Sequence, residues 1–114
     1  MALFHFRTRN PGRDRETDTG RLQRLERLLN ELGEEMERER DGLRDRYEKV
    51  TADAAFSQQA LEEDRADAAI SSKIDGMTDT MIRYTERLTS LEKQLAFIAE
   101  LRGRVDEFSR TDTD

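Results

Sequence analysis

The stretch "ISSKIDGMTDTMIRYTERLTSLEKQLAFI", residues 70–98, decides the fold. Its apolar side chains, Ile70, Ile74, Met77, Met81, Tyr84, Leu88, Leu91, Leu95 and Ile98, follow one another at alternating steps of four and three. A half-buried strand would repeat every second residue. Steps of four and three instead put all of these side chains on one stripe of an α-helix. Leu101, Val105 and Phe108 continue on the same side, with Arg102 the one charge on the strict repeat. A heptad pattern of this length specifies a coiled-coil seam, a stripe buried against another helix.

A second stripe lies on the N-terminal side. Leu22, Leu25, Leu29, Leu32 and Met36 step by three and four, and Leu28 widens the row. The stripe then skips Arg40 and resumes at Leu43, Tyr47, Val50, Ala54 and Leu61. Spacings of eleven residues, as in Leu32–Leu43–Ala54, mark a shift from heptads to a hendecad. Such a stutter unwinds a left-handed supercoil locally, and here it keeps Glu39 and Arg46 out of the seam.

Between Arg21 and Phe108 there is no proline, and Gly33, Gly42, Gly76 and Gly103 stand singly. The weak turn signals "EEDRAD" (62–67) and "SSKIDG" (71–76) place a fold-back at about 62–72. Folding there sets Leu22 by Phe108, Leu25 by Val105, Leu29 by Leu101, Leu32 by Ile98, Val50 by Met81 and Leu61 by Ile70. A heptad pattern fixes such pairs only modulo seven.

The expected fold is therefore all-α: a long antiparallel helical hairpin, a coiled coil spanning residues 21–109 with arms of about 65 Å. Leu28, Phe56, Ile82, Phe97 and Leu101 lie off the strict repeat and call for a second covering surface. A homodimer forming a four-helix bundle supplies one. The alternative is one continuous helix of about 130 Å in an antiparallel dimer.

Composition agrees with this reading. Hydrophobic residues make up 34% of the 114, too few for one compact core, whereas Ala, Glu, Lys, Leu and Arg fill about half the chain, as long helices do. With no cysteine there is no disulfide framework, thiolate nucleophile or Cys-based metal site. No apolar run is long enough to cross a bilayer, and "MALFHFR" is too short for the apolar region of a signal peptide. A cytoplasmic location is the expectation. The net charge of −6 resides in the helical body, which disfavours nucleic acid along its length.

Residues 1–20 read as a flexible arm and linker. Leu3, Phe4, His5, Phe6, Arg7, Arg9 and Arg13 combine apolar and basic character without an acid. "NPGRDRETDTG" (10–20) reads as a linker by composition, with Asp18 or Thr19 capping a helix that starts near Arg21. The arm suits docking on a partner's sheet edge, weak attachment to an anionic membrane, or nucleic-acid contact through its arginines and phenylalanines. It equally suits folding back onto the bundle end near Phe108. Residues 110–114 read as a frayed tail.

No residue set points to catalysis. His5 is the only histidine and lacks a metal-ligating or orienting companion. "ELGEEMERERD" (31–41) alternates acids with arginines, as a solvated helix face does. Tyr47 and Tyr84 lie on the seams, beside Arg46 and Arg83, and read as core packing; so do Met36, Met77 and Met81. The functional expectation is a non-enzymatic adaptor or scaffold, without cofactor or metal, that binds itself and other proteins. Self-association is assigned to Leu22, Leu25, Leu29, Leu32, Met36, Leu43, Tyr47, Val50, Ile74, Met77, Met81, Tyr84, Leu88, Leu91, Leu95, Ile98 and Val105. Two alternatives stand beside it. One is a small chaperone-like binder that holds an amphipathic peptide or export substrate in a groove at residues 36–50 and 77–91. The other is a tether through residues 3–13.

Overall fold

The computed structural model describes residues 10–63 and 68–112, all of them helical except Asn10 and Glu63. Helix α1 runs Pro11–Glu62 and α2 runs Ala68–Asp112. The two pack against each other antiparallel, as a hairpin, so the single continuous helix is excluded. The like-charged pairs Glu63–Asp67 and Asp64–Asp67 stand at helical spacing and would weaken a helix continued through them.

α1 begins ten residues earlier than composition suggests, which corrects the linker reading of residues 10–20. Asn10 caps it. Its Oδ1 accepts from the Gly12 and Arg13 amides at 2.9 and 3.4 Å, and its carbonyl accepts from Asp14 N at 3.0 Å. Pro11 takes the first helical position, where a missing amide costs nothing and its fixed φ suits the helix. Pro11-Gly12 is thus the start of α1 and not a hinge. At the other end α2 continues to Asp112, where Thr111 Oγ1 donates to the Glu107 and Phe108 carbonyls, both at 3.0 Å, so residues 110–112 are not a frayed tail.

The chain divides into two compact units. One joins Met1–Gly33 to Ile98–Asp114; the other is Glu34–Phe97. In the first, Leu29 and Ile98 are buried, and a Cβ on Gly33 would stand 3.7 Å from Ile98 Cγ2. In the second, Leu43 and the fully enclosed Leu91 form the core together with Ser57, while Thr51 Oγ1 lies 3.6 Å from Met81 Sδ. Gly33–Ile98 and Thr51–Met81 each fall one residue from a pair anticipated by the fold-back.

The covered row of α1 differs from the stripe read from its leucines. It runs Leu22, Glu26, Leu29, Gly33, Met36, Arg40, Leu43, Tyr47, Val50, Ala54, Ser57 and Leu61, every one buried or half-buried. Steps of four and three alternate throughout, so there is no stutter. Leu22, Leu29, Met36, Leu43 and Val50 fix one edge of the row at intervals of seven. Tyr47, Ala54 and Leu61 fix the other edge four residues on. Keeping a regular heptad requires Glu26, Gly33 and Arg40 at that second edge, and the helix accepts them rather than unwinding. Leu25 is displaced from the seam and is 42% exposed. In α2 the expected row holds through Val105, with Leu101 half-buried and Arg102 exposed, but Phe108 is 55% exposed and Ser109 is half-buried in its stead.

Candidate functional site: the two flanks of the helix pair

A two-helix coiled coil has one seam and two flanks. In unit Glu34–Phe97, ion pairs line both. On one flank Arg87 Nε and Nη2 donate to Glu39 Oε2 and Oε1 at 2.6 and 2.9 Å, and Lys73 Nζ lies 3.5 Å from Asp53 Oδ2. On the other, Arg44 Nη2 donates to Glu92 Oε1 at 2.7 Å. The hydrogen bonds from Arg87 hold the Glu39 carboxyl below its ordinary value of 4.5, and the same contact raises Arg87.

These pairs resolve what the heptads leave open. Sliding α2 by seven residues either way would bring Gln94 or Thr80 to Glu39, Ala99 or Thr85 to Arg44, and Thr80 or Ala66 to Asp53. Every charge match disappears in both slips. Single exposed pairs contribute little to stability, but register needs only that the alternatives be worse.

The unit also has a hollow of about 350 Å³ between Tyr47 and the α2 residues Thr78, Met81, Ile82, Thr85 and Glu86. It lies in the zone anticipated for a groove, but not because of a stutter. Ile82 beside it is 52% exposed, and Phe56 and Phe97 are exposed elsewhere in the unit. Tyr47 and Tyr84 are half-buried on their seams, whereas Arg46 and Arg83 are exposed.

In the unit of Met1–Gly33 and Ile98–Asp114 the two flanks differ in kind. One carries a hollow of about 370 Å³ lined by Glu26, Asn30, Ala99, Arg102, Gly103 and Asp106. Small Ala99 and Gly103 open it, and no heavy atom stands within 4 Å of where a Cβ on Gly103 would be. The opposite flank carries Leu25, Leu28 and Leu32 from α1 and Leu101 and Phe108 from α2. Leu28 and Phe108 are exposed, and Leu32 and Leu101 are half-buried. Sequence reasoning set Leu28 and Leu101 outside the seam but placed Leu25 and Phe108 in it, and so read only part of this patch. The signal was there: Leu25, Leu28, Leu29 and Leu32 are too many leucines for one stripe.

Of the arm, Leu3, Phe4, His5, Phe6, Arg7 and Arg9 lie outside the described residues, and Arg13 sits exposed in the first turns of α1. Among the described residues no group of three His, Cys, Asp or Glu is placed to hold a metal ion, and no helix is long and apolar enough to cross a membrane. No protein-family model matches the chain, and neither a curated protein nor a solved structure is significantly similar to it.

Proposed function

We propose that the protein is a non-enzymatic coiled-coil adaptor or scaffold that acts by binding itself and other proteins through its helical surface. One observation carries this reading: Leu28, Phe56, Ile82, Phe97 and Phe108 are large apolar side chains left exposed on a helix pair with only four buried hydrophobic residues among those described. Apolar surface on that scale, in so thin a core, calls for further helices packed against it. Two hairpins packing as a dimeric four-helix bundle are the simplest source for Leu28 and Phe108, and partner proteins for Phe56, Ile82 and Phe97.

Parallel capture compares the native chain with a variant carrying Phe56→Ser, Ile82→Ser and Phe97→Ser. Proteins retained by the native chain and lost by the variant support the adaptor reading; identical recovery overturns it. The hollow beside Tyr47, Met81 and Ile82 favours a second reading, a chaperone-like binder. Its volume of about 350 Å³ holds one or two apolar side chains of an amphipathic helix. Ile82→Glu would abolish binding of such a peptide and leave dimerisation intact. The tether reading rests on residues 3–13, of which the structure describes only Asn10–Arg13.

A further inference from the structure

We infer that the apolar flank of the open-ended unit, carrying Leu25, Leu28, Leu32, Leu101 and Phe108, is a self-complementary interface whose occupant is a second copy of this chain. The inference rests on the self-association proposed above and names its face.

Three observations support a second copy in particular. The first is area. The chain leaves 9309 Å² accessible, where a closed domain of 13.3 kDa leaves about 6,500 Å². That surplus is spread over the whole chain, and a stable interface needs only roughly 800 Å² of it per partner. The second is charge. The chain carries −6, so two copies repel on average. Around this patch, however, Arg24 and Glu31 flank Leu28 one turn away on α1, and Arg104 and Glu100 flank Leu101 on α2, with 3.3 Å between that last pair. With the Asp18–Arg21 pair beside Leu25 and Glu107 beside Phe108 included, the rim is close to neutral and bears both signs on each helix, so a copy related by a two-fold axis can match acid to base. A strongly acidic or basic partner would meet like charges there. The third is the contrast across the unit. The opposite flank holds Glu26, Asp106, Arg102 and Asn30 around its hollow, and water serves that lining well.

The test is sedimentation equilibrium of the full chain and two matched variants. Leu28→Glu and Ile82→Glu put the same charge at positions of nearly equal exposure, 50% and 52%. The native chain is expected at twice 13.3 kDa. Leu28→Glu, which enters a two-fold interface twice, should raise the dimer Kd at least about a hundredfold, and Ile82→Glu should leave it within about threefold. If Leu28→Glu loses helicity by circular dichroism, Leu28→Ala replaces it; there a tenfold rise supports the assignment.

A dimer indifferent to Leu28, or weakened equally by both variants, overturns the face and leaves self-association standing. A native chain that stays monomeric at about 100 µM overturns both. Deleting residues 1–9 then identifies the cover: if dimers appear, Leu3, Phe4 and Phe6 of the chain itself held the patch. The adaptor reading is judged separately by the capture experiment.

Discussion

Glu39 and Arg87 meet through two hydrogen bonds on the surface of the Glu34–Phe97 unit, and the contact makes stability depend on pH. The folded carboxyl titrates below 4.5. Its contribution is therefore complete above that value and fades as pH falls through the folded-state pKa. Glu39→Gln should lower the melting temperature at pH 7 and shrink the loss of stability between pH 6 and pH 3, as thermal melts at a series of pH values would read. Arg40 offers the opposite case. Its side chain is 26% exposed, within the seam row, and its ion pair is with its own neighbour Asp41 at 3.1 Å. Arg40→Leu should raise stability by about 1 kcal/mol, since a heptad position gains apolar burial. If the helix were unwound at a stutter, leucine there would be exposed and the gain absent. Urea denaturation with an unchanged m-value decides between the two.

At the scale of elements, α2 was legible because every seam position from Ile70 to Ile98 is apolar. α1 was harder for a physical reason. Periodicity weighs residues by hydropathy, and four members of its covered row (Glu26, Gly33, Arg40 and Ser57) carry little or none. Leucines three residues from Leu22, and both three and four residues from Leu25, then make the wrong row look better than the right one. The true start of α1 was hidden differently. Asn10-Pro11-Gly12 reads as a turn by composition, yet the same residues make an N-cap followed by proline at its favoured first position. Asn10→Ala should cost about 0.5–2 kcal/mol, localised in the first turns of α1. Hydrogen exchange should show faster amide exchange over residues 12–20 and no change near Leu91.

For the whole molecule, the fold-back was bounded by sequence, but its register was not, since apolar pairs recur with every heptad. Charges break that degeneracy, and they act only across the seam. Gly33→Cys with Ile98→Cys tests the register in a chain that has no other cysteine. Oxidation should yield an intramolecular disulfide, seen as a gel shift reversed by reductant and as unchanged monomer mass. In a chain slipped by one heptad, Leu91 or Val105 would stand opposite Gly33 and the pair would stay reduced. The three ion pairs also couple the lengths of the two helices. Deleting one heptad from α1 between Glu39 and Asp53 would keep the ion pairs on one side of the deletion and set the charges on the other side opposite uncharged residues, unless α2 lost the matching heptad. An unmatched heptad change in either helix of this unit therefore gives up the ion pairs on one side of it, and a matching change in the other helix restores them.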